Sequence, residues 1–487
     1  MYTYIYAYRV RSLNSTLNET VAPITWGSEA GSTYILLWIE EPRIHMARDP
    51  NIILDILNKR SMMNVPINDM FRMLYNKDLY SMTTHFNKVD SNQIDQLIEK
   101  MHKEQHKWKV EPMVDTVLQE ALYILLYNGV YEPYQFSDSN HWYRVGRNVS
   151  SALDRVYSNG SHCNFFISYD LTNVIDHMNY TLLLDTLHVI VSDNRIRELL
   201  RKKLKHAPIS LSYDKTYSNT PIGSDLDCLL TNIYLTPLDR YIDNMIGNSN
   251  SCYTRYGNQS VITYSGNFKD AISFVNEITR WIENYYGILI NEDQHKVHKA
   301  DDKKHQIRFL EYNILLVESN SGRRSVGFYM PDNVMRAFIK PYMKNQKPIH
   351  ISNRIYKPIY EIIRLFREDF ERFAQYYTFA KNQRDLGTVK WILQTSMLKT
   401  IAAKLKSTCN KVAKKYGSTK VIDGQTYSII SDTKPNSKVE YFGAHPLKTQ
   451  YNFSDTIIMD SKSKYSTSGE PDALKGARPV RRGVVIR

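Results

Sequence analysis

Cysteine is sparse and never paired: Cys163, Cys228, Cys252 and Cys409 stand far apart, with no Cys-x-x-Cys among them. That spacing excludes a zinc ribbon and offers no disulfide framework. Long apolar runs are missing as well. Tyr34 to Ile39 is typical of those present and falls far short of the roughly 20 residues that span a bilayer, so the chain is not expected to be an integral membrane protein. There are no internal repeats, and no acid occurs between Trp391 and Lys420.

What is present is a globular composition, with 42% hydrophobic and 23% charged residues over 487 positions, enough for two to four structural units at about 150 residues each. The net charge of +13 is unevenly placed. Residues 331–487 hold 29 of the 63 Lys and Arg but only 13 of the 50 Asp and Glu, which leaves 34 against 37 for residues 1–330. So one-sided a field attracts polyanions and points to nucleic acid, with a membrane surface as the alternative that charge by itself leaves open.

Residues 1–18 carry Arg9 and Arg11 without an acid, but tyrosines at 2, 4, 6 and 8 spoil the pattern of a transit peptide. The segment reads as a short alternating strand or arm. Residues 46–130 read as helical, most clearly in Val114, Val117, Leu118, Ala121, Leu122, Ile124 and Leu125. Between 160 and 320 short apolar runs such as Phe165–Ile167 and Ser260–Tyr264 alternate with helical stretches, which predicts an α/β or α+β core, the second being the class that the resemblance below implies. Helices return over 355–417, and residues 421–487 read as a basic, partly disordered tail.

One run of segments carries chemistry. Phe165-Phe166-Ile167-Ser168-Tyr169-Asp170-Leu171 is a hydrophobic strand closing in an acid, the kind of position that holds a divalent cation in a polymerase. Such an aspartate more often caps a turn or helix. Around it lie, in order, Val117-Leu118-Gln119-Glu120-Ala121-Leu122, Val130-Tyr131-Glu132-Pro133 and Tyr143-Arg144-Val145-Gly146-Arg147. After it come Tyr217-Ser218-Asn219-Thr220-Pro221-Ile222-Gly223, Leu229 to Arg240, Tyr253-Thr254-Arg255-Tyr256-Gly257-Asn258-Gln259 and Arg308-Phe309-Leu310-Glu311-Tyr312. This series resembles the group II intron reverse transcriptases and maturases, over roughly residues 46–420.

The resemblance implies an N-terminal extension (1–45), fingers (46–160), a palm (161–330) and a helical thumb with maturase domain X (331–420), ahead of the 421–487 tail. Tyr376-Tyr377-Thr378-Phe379-Ala380-Lys381-Asn382, Thr400 to Thr408 and Lys411 to Gly417 resemble the family's domain X segments.

The departures matter as much. Asn258 and Gln259 stand where the family has its Asp pair, so only Asp170 of three carboxylates remains, and neutral amides cannot supply the charge that two Mg²⁺ ions demand. Ile222 replaces the family's Gln, and Glu111-Pro112-Met113 its Gly-Ile-Pro. The expectation is a degenerate, inactive polymerase centre with Asp170, Asn258 and Gln259 as vestigial positions, no resident metal or other cofactor, and Mg²⁺ entering only with bound RNA. No Cys-pair and His-rich endonuclease module follows in the sequence, and mobility is expected to be lost.

Binding is expected to lie on domain X. At helical period Leu398, Ile401, Ala402, Leu405, Cys409 and Val412 form one stripe, with Lys399, Lys404, Lys406, Lys411, Lys414 and Lys415 opposite. Solvated faces normally interleave both signs. An unrelieved basic face suits the RNA backbone, with Arg364, Arg367, Lys59 and Arg60 as extensions of the track. The function implied is that of a splicing maturase acting on group II-type intron RNA in an organellar precursor mRNA, in chloroplast or mitochondrion. Euglenid plastid maturases, also degenerate, are similar. The alternatives are a reverse transcriptase that recruits Asp176 and a structural RNA-binding subunit of an organellar ribonucleoprotein.

Overall fold

The computed structural model describes residues 7–10, 24–25, 33–36, 49–103, 111–213, 221–247, 249–422, 424–433 and 439–443. The chain divides into two compact units, Met1–Val130 and Tyr131–Arg487. The first opens on a three-stranded antiparallel sheet, β1 (Ala7–Val10), β2 (Ile24–Thr25) and β3 (Thr33–Leu36), ordered β1-β3-β2, so the expected N-terminal strand forms at Ala7–Val10. Helices α1 (Pro50–Met62), α2 (Met70–Met73), α3 (Lys77–Tyr80), α4 (Ser91–His102) and α5 (Pro112–Leu126) follow. Asp49 and Asp90 cap α1 and α4 through their side chains, and proline opens α1 and α5 where a missing N–H is harmless.

In the second unit, α6 (Glu132–Tyr134) and α7 (Val149–Asn159) precede the strand β4 (Phe165–Asp170). Residues 131–160 therefore go with the sheet instead of the N-terminal helices, since Ala152, Leu153 and Val156 of α7 join the same core as Phe166 and Val261. Next come α8 (Thr172–Asp176), α9 (Tyr180–His188), α10 (Asn194–His206), the short pair β5 (Ser212–Tyr213) and β6 (Pro221–Ile222), and α11 (Asp225–Ile246). Helix α11 is buried nearly all round, from Leu226 to Ile242, as its apolar run of Leu, Ile and Tyr requires.

Strands β7 (Cys252–Tyr256) and β8 (Gln259–Tyr264), helix α12 (Phe268–Tyr286) and strand β9 (His295–Lys299) complete a four-stranded antiparallel sheet, ordered β7-β8-β4-β9. A second sheet joins β10 (Ile307–Phe309), β11 (Tyr312–Glu318) and β12 (Arg324–Tyr329). Leu310 and Glu311, which link β10 to β11, both take left-handed backbone at φ +49° and +57°. A glycine at position 311 would adopt this backbone without strain, whereas Glu311 does so at a cost.

The remainder is mostly helical: α13 (Asp332–Ile339), the small hairpin β13 (Met343–Lys344) and β14 (Lys347–Pro348), α14 (Ile359–Tyr376), α15 (Arg384–Lys404) and α16 (Cys409–Tyr416). Two expectations need correction here. The single helix expected over 398–415 breaks after Lys404, because Lys406 turns left-handed at φ +46° and the Thr408 hydroxyl caps a new helix from the Lys411 N–H. Leu405, placed in the apolar stripe, is consequently 38% exposed.

The expected tail is also structured in part. Strands β15 (Gly417–Ile422), β16 (Gln425–Thr433) and β17 (Val439–Phe442) form an antiparallel sheet, and Ile430 and Phe442 are buried in one core with Phe366, Phe370, Leu393, Ile401 and Val412. The rest of the tail lies outside the described residues, as do residues 217–220 of the segment ending in Pro221-Ile222-Gly223. Among the described residues no helix is long and apolar enough to cross a membrane.

Candidate nucleic-acid interface

Antiparallel register sets the first site. Asp170 closes β4 opposite Gln259 of β8, and the β7–β8 hairpin turns through Gly257 at φ +61° and Asn258. The Leu171 N–H donates to the Asn258 carbonyl at 2.7 Å, which brings the two side chains together. A Cβ at Gly257 would lie 2.7 Å from Cδ of Pro221, so both backbone sign and space favour glycine. The hairpin Tyr256-Gly257-Asn258-Gln259 thus lies beside Asp170.

These side chains hold one another. Asn258 is fully buried, and its Nδ2 donates to Thr172 Oγ1 at 2.8 Å and toward Asp170 Oδ1 at 3.4 Å, while its Oδ1 is buried without a partner. Asp170 Oδ1 accepts from the Thr172 N–H at 2.9 Å and from its hydroxyl at 2.5 Å, which ties the strand end to the start of α8. Gln259 turns to the other sheet, where its Oε1 accepts from the Leu310 N–H at 2.8 Å. Asp176, the carboxylate with which an altered centre could replace the lost pair, accepts the Tyr213 hydroxyl at 2.7 Å. Burial, with Asp176 and Asp170 nearby, pushes that phenol above its ordinary range.

One carboxylate at a strand end, with amides at two positions and Asp176 tied to a phenol, does not fit a pair of Mg²⁺ ions, whose binding needs several anionic oxygens. Among the described residues no group of three His, Cys, Asp or Glu is placed to hold a metal ion.

The hairpin is set from beneath by residues that the sequence did not single out. Arg255, with no exposed surface, places Nε and Nη2 each 2.7 Å from the two carboxylate oxygens of Asp239. It also donates to Asn232 Oδ1 at 3.2 Å and the Gly257 carbonyl at 3.1 Å, and the Tyr253 hydroxyl reaches Asp239 at 3.0 Å. A buried ion pair costs desolvation and adds little stability over an apolar substitute, but it fixes geometry. The signal was available: Asn232 and Asp239 are two turns apart on one helix, and an Arg in a buried strand requires an acid.

The basic positions divide in two. Lys399 Nζ donates to the Pro348 carbonyl at 2.7 Å and Lys404 Nζ to the Ile355 carbonyl at 3.1 Å, so both are half-buried ties to the 342–355 loop and not a free face. Arg364 pairs with Glu368 at 2.8 Å, and Arg367 pairs with Glu440 at 2.8 Å and lies over the Tyr441 ring. Arg60 pairs with Asp69 at 2.9 Å. Arg364, Arg367 and Arg60, expected as extensions of the track, are thus each already paired with an acid, from α14, β17 or the residues after α1. Lys59, Lys406, Lys411, Lys414 and Lys415 remain exposed. Val412, buried on the opposite side of α16, anchors the last three outward.

Residues 334–465 match the Type II intron maturase family model. The chain is 22% identical to the group II intron-encoded protein LtrA of Lactococcus lactis subsp. cremoris, over 74% of this chain and 72% of that protein. It is 24% identical to an uncharacterized 91 kDa protein in a cob intron of Schizosaccharomyces pombe, covering 76% of this chain and 56% of the relative. A shorter match, 28% identical over 19% of this chain and 12% of the relative, is to nuclear intron maturase 1, mitochondrial, of Arabidopsis thaliana.

Proposed function

From the match to the Type II intron maturase model and the similarity to a group II intron-encoded protein, we propose that this chain binds intron RNA through exposed lysines and stabilises the fold in which the RNA splices itself, without copying RNA into DNA. A partner that binds only folded RNA shifts the folding equilibrium by mass action and needs no active site of its own. The observation that carries the second half of this reading is the hydrogen bonding of Asn258 to Asp170 and Thr172, and of Gln259 to Leu310. Amides occupy the places of two metal-holding acids and serve as structural ties. The arrangement reads as fingers, palm and thumb, with Mg²⁺ supplied by the RNA.

Lys406, Lys411, Lys414 and Lys415 form the RNA-facing side of the C-terminal region, and Lys59 adds a cation in the N-terminal unit. A relative named as mitochondrial supports residence in an organelle. The test is to crosslink the protein to RNA in cells and sequence what is attached. Intron sequence is the expected result, whereas ribosomal RNA would replace this reading with a structural role in a ribonucleoprotein.

A further inference from the structure

Two acid-free stretches meet in the second unit. Residues 333–360 contain Arg336, Lys340, Lys344, Lys347, Arg354 and Lys357 without an acid, and residues 386–422 contain only lysines as charged groups. They are joined by a series of hydrogen bonds that runs along α15. Ser396 Oγ donates to the Ile349 carbonyl at 2.5 Å, Lys399 Nζ to Pro348, the Ile351 N–H to Thr400 Oγ1 at 3.0 Å, and Lys404 Nζ to Ile355. At the loop's other side Asp369 accepts from Arg354 at 2.6 Å and from the Tyr342 hydroxyl at 2.8 Å. The loop is therefore pinned on both sides.

Two things project from this pinned loop. One is the β13–β14 hairpin, whose tip residues Asn345 and Gln346 are left-handed at φ +49° and +59° and whose strands set Lys344 directly opposite Lys347. Like charges facing across a hairpin destabilise it, and among the described residues neither lysine forms an ion pair. The other is Tyr356, one residue past the last anchor, with 87% of its surface exposed. From Ser396 to Lys404 the helix rises about 12 Å, roughly the reach of three or four nucleotides of one strand.

We propose that the 343–356 loop is a binding site for unpaired RNA, in which Lys344 and Lys347 hold a backbone phosphate and Tyr356 stacks on an unstacked base a few nucleotides away. The site rests on the RNA-binding reading above and narrows it from folded RNA in general to a single-stranded loop or bulge. A rigid platform loses little entropy on binding, and an exposed tyrosine beside cations offers what a free base lacks in a duplex: a vacant aromatic face.

Because Tyr356 contacts so little, Tyr356→Ala leaves the fold intact, and Tyr356→Phe keeps the stacking face. The full chain is titrated with an RNA hairpin carrying about ten unpaired loop nucleotides and with a blunt duplex of equal length. Tyr356→Ala should weaken the loop probe by about 5- to 150-fold, the range set by base–aromatic stacking, and the duplex by less than about twofold. Tyr356→Phe should match the parent. Lys344→Gln with Lys347→Gln should lower the slope of log affinity against log salt on the loop probe by about 0.7, the share of the one phosphate that the pair holds. Equal losses on both probes, or none on either, overturn this site and leave the maturase reading standing. Failure to bind either probe overturns both.

Discussion

Asn258→Asp puts a carboxylate back at a buried position whose side chain lies 3.4 Å from Asp170 Oδ1. At that separation two unit charges repel by about 5 kcal/mol at an effective dielectric constant near 20, and by about 1 kcal/mol in bulk water. Asp170 is exposed and position 258 buried, so an intermediate value of about 2–3 kcal/mol applies. The substitution also removes the 2.8 Å donation to Thr172 Oγ1, which adds about 1 kcal/mol. The variant should be less stable by about 3 kcal/mol at pH 7 in chelator, read by urea denaturation of the full chain with a probe in the second unit. The new acid titrates above its unfolded value, so the folded state holds its proton more tightly. The penalty is therefore fully present above the raised folded value and declines as pH falls toward 4. An Asn258→Asp variant as stable as the parent at pH 7 would refute the buried contact between hairpin and strand end.

Further outcomes follow from single contacts. Replacing Lys411, Lys414 and Lys415 together by Gln should reduce the salt slope of RNA binding by about 2–3, whereas Lys399→Gln or Lys404→Gln should leave RNA affinity within about twofold and cost about 1 kcal/mol of stability through the lost carbonyl tie; parallel titration and denaturation separate the two classes. Glu311→Gly should raise stability by about 1 kcal/mol, because only the left-handed strain at φ +57° is removed along with a long 3.4 Å contact to Arg308; a less stable variant would contradict this. His141 is buried, and desolvation together with Arg147, Arg155 and Arg144 pushes its pKa down to about 3. The unfolded state then binds the extra proton below about pH 6.5, so stability should fall from pH 6.5 to 5 by up to about 2 kcal/mol. His141→Gln should flatten that slope in the same denaturation series.

Much of this architecture is legible in the sequence, for identifiable reasons. Strand alternation and the order of segments placed Asp170 beside the 256–259 hairpin, because antiparallel pairing of β4 with β8 leaves one register that buries Phe166, Ile167, Val261 and Ile262 together. The lysine face was misread because periodicity describes one helix and says nothing of what packs against it. Ser407-Thr408 is a cap signal that the periodic apolar spacing concealed, and the break it makes, together with the 342–355 loop, turns Lys399 and Lys404 inward onto carbonyls. Arg364 and Arg367 meet Glu368 and Glu371 one turn on along α14, a pairing that the i,i+4 spacing already offered, whereas Glu440 reaches Arg367 only once β17 is folded against α14. The β15–β17 sheet was hidden by a Ser-, Lys- and Asp-rich composition, and its few buried residues, Ile429, Ile430 and Phe442, are too widely spaced to signal a core. Tyr356 and the Lys344/Lys347 pair were invisible for the opposite reason, since exposure is known only once everything that could have covered them is placed.

The most direct measurement uses one preparation of the full chain, its crosslinked intron RNA and a primed template. Self-splicing is followed at low Mg²⁺ with and without protein, and primer extension with Mg²⁺ and then Mn²⁺. Faster splicing with no extension product is the predicted result; a template-dependent DNA product that disappears in Asp170→Ala would contradict it.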